Sequence, residues 1–224
     1  MDVKKTIYLA LFSCLFLFQS CFEIIEQVFI KKDGSGNFQL VLNMSKSKTK
    51  LNSIIKMKTV NGHEVPSKNE ITQKVADAAN SMKKTVGISN VKTKLDFDNY
   101  IFTLTCNFTK VSSLNAAVKN IGEKENPKSK AIEKSYDYDA AGKIFNRLNK
   151  FSLKEEYQKM SNADREIFAT ANYTSIFRFE NEVTATSNKE SKVAGSKKAV
   201  MLKLNALDII TNKKSIENKI NLTK

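Results

Sequence analysis

Thiols, one imidazole and a few carboxylate pairs are the side chains of this sequence that could do chemistry. There are three cysteines, Cys14, Cys21 and Cys106, and one histidine, His63. Zinc sites and catalytic triads draw on more than one His or on clustered Cys, so His63, set in Asn61-Gly62-His63-Glu64 ahead of Pro66, reads as a surface turn residue. Cys106 belongs to the run Tyr100, Phe102, Leu104, Cys106, Phe108, which alternates with Thr103, Thr105, Asn107 and Thr109. Period-two alternation buries one face of a strand, which makes Cys106 a core thiol. Burial raises a thiol's pKa and suppresses the thiolate, so a nucleophilic role is not expected. Carboxylates recur two apart at Asp96 and Asp98, Asp137 and Asp139, and Glu180 and Glu182. In an extended chain each pair shares a face and could bind a cation or serve as acid and base. Amid this many lysines the expectation is neutralised surface charge. Two carboxylates brought together only by folding, as in glycoside hydrolysis, leave no sequence trace, so a hydrolase using carboxylates from separate strands stands as an alternative. No catalytic, metal or cofactor-binding residue is assigned, and no cofactor is implied.

Cys21 needs a different reading. It closes a segment made of Lys4 and Lys5, an apolar run from Ile7 to Phe18, and Gln19-Ser20. The run is about a dozen residues long, whereas a spanning helix needs roughly 20, so the segment has the form of an export leader. In Ser20-Cys21 it resembles the signal peptides of bacterial lipoproteins. It departs from them upstream, where Phe18 and Gln19 stand in place of the usual Leu and small residue, with Leu17 one place early. The resemblance implies a signal peptide over 1–20, cleavage before Cys21, and acyl chains of the diacylglyceryl and palmitate kind on the Cys21 thiol. Each buried methylene of such chains contributes about 0.8 kcal/mol to membrane attachment. The alternative is an ordinary leader cut nearby, with Cys21 a bystander. The expected location is the bacterial cell envelope, and Phe22 rather than Asp after the cysteine favours the outer membrane over the inner. With Cys14 removed and Cys21 acylated, Cys106 has no disulfide partner.

The chain carries 37 Lys and Arg against 23 Asp and Glu, a net charge of +14. Without Lys4, Lys5 and Asp2 the count is 35 against 22, or +13. A basic balance invites nucleic acid, but the arginines are only Arg147, Arg165 and Arg178, and groove readers favour the arginine fork. No nucleic-acid partner is expected. The expected partners are the membrane, through the lipid on Cys21, and an envelope protein, an anionic lipid or an acidic glycan.

The elements that must position these residues alternate between hairpins and helices. Ile24 to Ile30 and Phe38 to Met44 predict strands around Asp33-Gly34-Ser35-Gly36, with a loop of two, three or four residues. Ser45 to Pro66 is a short helix or an irregular crossover. Ser67 with Glu70 predicts a capping box, Ile71, Val75, Ala78 and Met82 a helical stripe, and Gly87 its end. Val91, Leu95 and Phe97 lead to a two-residue turn at Asp98-Asn99, placing Phe97 opposite Tyr100. Ser112 is expected to cap a helix ending at Gly122. Residues 123–134 read as a loop separating a 21–122 part from a 135–224 part of one domain. Tyr136 and Tyr138 with Ile144 and Phe145 predict a third hairpin. Ser152 and Glu155, then Ser161 and Asp164, mark two short helices. One strand is expected from Tyr173 to Val183, a return at Val200, Leu202 and Leu204, and an edge strand at Ile216, Ile220 and Leu222. The fold class is α+β, an antiparallel sheet built from hairpins with helices packed on one face.

Phe179, Val183, Asn188, Gly195 and Val200 resemble the final strand pair of the LppM-like bacterial lipoproteins. That resemblance implies an antiparallel body and a binding or accessory role in the envelope, and it carries over no catalytic residue. The expected function is a lipid-anchored, non-enzymatic binding or assembly module. A second alternative is basic-surface adhesion to anionic lipid or glycan.

Overall fold

The computed structural model describes residues 22–125, 134–148 and 153–224. Residues 1–21, 126–133 and 149–152, and with them the expected signal peptide, Cys21 and the Ser152 cap, lie outside them. The described chain is α+β. Its main layer is a seven-stranded sheet of β1 (Glu23–Ile30), β2 (Gly36–Asn43), β5 (Ile88–Asp96), β6 (Ile101–Phe108), β9 (Asn172–Phe179), β11 (Lys192–Val193) and β12 (Ala199–Asn205), in the order β11-β12-β9-β1-β2-β6-β5. All neighbours are antiparallel except β1 and β9, which run parallel with Glu26 opposite Ser175, Val28 opposite Phe177 and Ile30 opposite Phe179.

A second sheet was not anticipated. β7 (Tyr136–Asp139), β8 (Ile144–Arg147), β10 (Val183–Thr186) and β13 (Asn218–Leu222) form it in the order β10-β13-β8-β7. The strand expected from Tyr173 to Val183 ends at Phe179, and the chain crosses into the short sheet at Val183. The segment expected at an edge, β13, is internal, between β10 and β8.

The hairpin turns are longer than the pattern suggests, and carboxylates explain why. Between Ile30 and Gly36 five residues form the loop, because Asp33 Oδ1 accepts from Ser35 N–H at 2.9 Å and from its hydroxyl at 2.7 Å. Gly36 must stay bare there, since a Cβ would overlap the Phe29 carbonyl oxygen. In the second hairpin Asp96 pairs with Ile101, so Phe97 and Tyr100 belong to a four-residue loop and are not cross-strand partners. Asp96 accepts from the backbone N–H groups of Asp98 and Asn99 at 3.1 and 2.9 Å, an Asx-type closure of the loop. Tyr100 takes φ +54, and the Phe97 ring packs edge-to-face on Phe102 instead.

Helices occupy one face of the long sheet. After a 3-10 turn (Ser45–Ser47) come α1 (Lys48–Ile54) and a two-strand ladder, β3 (Thr59–Val60) with β4 (His63–Glu64). The capping box at Ser67 and Glu70 forms as the spacing predicts and starts α2 (Lys68–Lys83), with Gly87 at φ +83 beyond its end. α3 (Val111–Glu125) begins one residue before Ser112 and runs through Gly122, so Ser112 is not its cap and Gly122 not its stop. α4 (Lys154–Lys159) has Leu153 at its N-cap with no side-chain cap, whereas Ser161 caps α5 (Asn162–Ala169) by accepting from Asp164 N–H. α6 (Ala206–Ile210) follows β12.

The core sits where α2, α3 and the short sheet cover the inner face of the long one. Val28, Ile30, Phe38, Cys106, Phe108, Phe177, Phe179 and Val200 meet Met82, Leu114 and Ala117 of the helices and Phe145, Ile220 and Leu222 of the short sheet. Residues from either side of 123–134 therefore build one core. Phe145 is fully buried, with ring centroids 5.0 Å from Phe177 and 5.6 Å from Phe179, so it cements the two sheets. Phe145→Ala should lower stability by about 3–5 kcal/mol in urea unfolding. A loss well below that range would show that the sheets do not depend on this contact.

Candidate functional site

The folded body is organised from its first described residue. The Phe22 carbonyl accepts from Asn172 N–H at 3.0 Å, and its ring packs edge-to-face on Phe168 of α5 at 6.1 Å. Glu23 Oε1 accepts from the Thr174 hydroxyl at 2.7 Å and pairs with Lys203 Nζ at 3.1 Å. Burial pushes the Glu23 carboxyl up, but Thr174, Lys203 and the nearby Lys46 outweigh it and hold it below its usual value. Chain position 21 is thus one peptide from a fixed point of the sheet. Cys21 itself lies outside the described residues.

A second polar centre lies inside, and no motif announced it. Glu26 on β1 faces inward in phase with Val28 and Ile30, and Arg147 on β8 faces inward in phase with Phe145. Arg147 Nε donates to Glu26 Oε1 at 3.0 Å and Nη2 donates to Oε2 at 3.0 Å, a bidentate fork across the gap between the sheets. The Tyr173 hydroxyl donates to Oε2 at 2.8 Å. The remaining guanidinium nitrogen, Nη1, donates to the carbonyls of Ser135 and Leu148 at 3.2 and 2.6 Å. The cation also lies 5.0 Å from the Tyr136 ring centroid. Asn115 of α3 completes the arrangement, accepting from Ser135 and Tyr136 N–H and donating to the Tyr136 carbonyl. Burial pushes both tyrosine hydroxyls up, and the Glu26 charge pushes them further. Both Glu26 oxygens are engaged, so this carboxylate acts as a lock between layers.

The residues singled out from the sequence take structural posts. Cys106 is free and buried, 1% exposed, and burial pushes its thiol up to about 11. His63 is on the surface, its side chain 73% exposed, yet its Nε2 lies 3.2 Å from Asp164 Oδ2, and Asn61 Nδ2 donates to Oδ1 at 3.3 Å. These bonds fasten the β3–β4 ladder to α5. Asp164, which also accepts from the Ser161 hydroxyl, is held below the usual carboxylate range by Ser161, His63 and Asn61. The carboxylate pairs separate into turn and surface duties. Asp96 closes one loop, Asp139 closes another by accepting from Ala141 and Gly142 N–H, Asp137 pairs with Lys134, and Glu180 accepts from Lys32 N–H. A cavity of about 350 Å³ is lined by Glu64, Val65, Pro66, Glu70, Gln73 and Lys74, and another of about 280 Å³ lies beside Asp33, Lys110 and Asn115. Among the described residues no group of three or more His, Cys, Asp or Glu could hold a metal ion, and no helix is long and apolar enough to cross a membrane.

No protein-family model matches the chain, and no curated protein matches it. Among solved structures, the NMR structure of the Mycobacterium tuberculosis LppM protein folded domain aligns over 93% of this chain and 94% of that one, with 13% sequence identity and a TM-score of 0.46. The five residues that resemble the last strand pair of LppM-like lipoproteins do not form one pair here. Phe179 ends β9, Val183 starts β10, Asn188 and Gly195 lie in connections, and Val200 sits on β12 opposite Phe177.

Two measurements check these roles. Glu26→Leu should cost about 3–5 kcal/mol in urea unfolding because it strands the Arg147 charge, and Glu26→Leu with Arg147→Met should recover most of that loss; a double variant as unstable as the single would refute the lock. The Cys106 thiol should resist thiol reagents at pH 8 until the protein unfolds. Its folded pKa lies above the unfolded value of about 8.5, so its contribution to stability is complete below that pH and is lost as pH rises toward about 11. Rapid native labelling at pH 8 would refute the buried placement.

Proposed function

We propose that this protein is a lipid-anchored lipoprotein of the bacterial cell envelope, on the outer membrane, whose body is a non-enzymatic binding or assembly module. The observation that carries this reading is the junction at Cys21. Ser20-Cys21 closes a basic-then-apolar leader, and the next residue, Phe22, is already bonded into the body through Asn172 and Phe168. A leader removed before Cys21 would leave an acylated first residue followed at once by folded chain, with nothing between anchor and domain to be ordered. The reading of the body as a module rather than a hydrolase is supported by how its carboxylates are used. The buried one, Glu26, is committed to Arg147 and Tyr173, and Glu23, Asp33, Glu70, Asp96 and Asp164 are all held below their usual values by hydrogen-bond donors or cations. A general acid needs the opposite shift.

Metabolic labelling of the full chain with a tagged fatty acid should mark the wild type and leave Cys21→Ala unmarked. An unlabelled wild type, or a variant labelled as strongly, would remove the anchor.

A further inference from the structure

The chain from Gly34 to His63 contains no Asp or Glu, and the part from Ser45 on, about its second half, carries Lys46, Lys48, Lys50, Lys56 and Lys58. This half forms the 3-10 turn and α1, and neither buries a single residue. A seven-residue helix is too short to persist in water on its own. It is held to the body through the Tyr100 hydroxyl, which donates to Asn52 Oδ1 at 2.7 Å, and through half-buried Leu51, Ile54 and Ile55. All five lysines are exposed, and among the described residues none forms an ion pair. Met57, between two of them, is 51% exposed. Lysines interleaved with an outward-facing apolar side chain on a surface segment are the pattern of an interfacial membrane contact, with ammonium groups for anionic headgroups and an apolar group for the acyl boundary.

Its position points to the same occupant. β2 delivers the segment at Asn43, which stands opposite Glu23 in the sheet, and the Lys46 charge is felt at the Glu23 carboxyl. The segment is therefore beside the point where the body meets residue 21. Cα atoms across one peptide are about 3.8 Å apart, and Phe22 is fixed to Asn172 and Phe168, so a body anchored at Cys21 has no linker on which to swing away from the bilayer.

We propose that residues 45–58 form a membrane-contact element that lies on the anionic headgroups of the leaflet holding the Cys21 lipid; the shared leaflet rests on the anchor reading, and the surface chemistry does not. The test uses the chain from Phe22 to Lys224, which holds every described strand and helix, in sedimentation with phosphatidylglycerol-containing or pure phosphatidylcholine vesicles. Wild type should bind the anionic vesicles, lose that binding at high salt, and ignore the neutral ones. Changing Lys46, Lys48, Lys50, Lys56 and Lys58 to Gln should weaken binding about tenfold or more. The same change at Lys31, Lys32, Lys110, Lys197 and Lys198, next to the opposite strand ends, removes equal charge and should leave binding within about twofold. Amide exchange over residues 45–58 of the wild type should slow when anionic vesicles are added, a readout that needs no variant to fold. Equal losses in both variants, no loss in the first, or unchanged exchange would overturn the element. Labelling at Cys21 is scored separately: lysine-dependent vesicle binding with Cys21 unlabelled keeps the contact and removes the anchor, whereas a labelled Cys21 with a body indifferent to these lysines does the reverse.

Discussion

A carboxylate buried in the middle of a sheet face has to be answered by a cation, and the arrangement of both layers follows from that requirement. Glu26 lies on the central strand β1, flanked by β2 and β9, where an unpaired charge would be prohibitively costly. The answering group, Arg147, comes from the other sheet, and its fork meets the carboxylate only when β8 is set at one depth and one register against β1. Hydrophobic contacts such as Phe145 on Phe177 supply most of the attraction between the layers, but they tolerate sliding. The fork, the Tyr173 hydroxyl and the Asn115 bonds to the start of β7 are directional and do not. Stability and uniqueness of the interface thus come from different residues.

Two of the three arginines share a use that sets them apart from the lysines. Arg147 is spent on Glu26 and two carbonyls, Arg165 donates to the carbonyls of Tyr157 and Gln158 and lies over the Tyr157 ring, and Arg178 donates to Gln27 at 2.7 Å. Arg147 and Arg165 place planar, multi-donor heads where several acceptors must be met at fixed angles, whereas exposed Arg178 meets one, and ammonium groups are left on the surface as point charges. Among the described residues the excess of basic side chains is therefore carried outward almost entirely by lysine. Acidic residues serve in turns, caps and the lock between the layers, at Asp33, Asp96, Asp139, Asp164 and Glu26.

What the sequence made legible is what local periodicity and capping control. The three hairpins, the capping box at Ser67 and the cap at Ser161 fall where the spacing predicts them. The loops are wider than the spacing suggests because Asp33 and Asp96 stabilise wider closures than the shortest one the strands permit. The pairing of β1 with β9 was out of reach, since Glu23 and Asn172 are separated by most of the chain and nothing local encodes a parallel partner. The short sheet was missed for the same reason, its strands coming from four dispersed segments. Glu26 could have been found. It stands between Ile24 and Val28 on the apolar phase of a strand, and an acid in that phase demands a buried cation. With three arginines in the chain, the one in phase with Phe145 was the natural candidate.

The candidate site divides along the same line. The expectation at Cys21 rests on a short linear pattern, whereas the place of the basic segment beside Glu23 follows only from folding. In sequence, Glu23 precedes the first strand of an ordinary hairpin and Lys46 follows the second. In the structure the antiparallel register of β1 and β2 returns the chain from the turn at Gly34 to the level of its own start, so a segment without acids is set down next to the first residue of the body. Moving that segment to another loop would keep the net charge and composition unchanged and separate it from Glu23 and Phe22. The parallel β1–β9 pair adds to this, since it brings Asn172 and α5 to the same end and immobilises Phe22 there. Register, rather than composition, is what gathers the lysine segment and Phe22 at one end of the sheet.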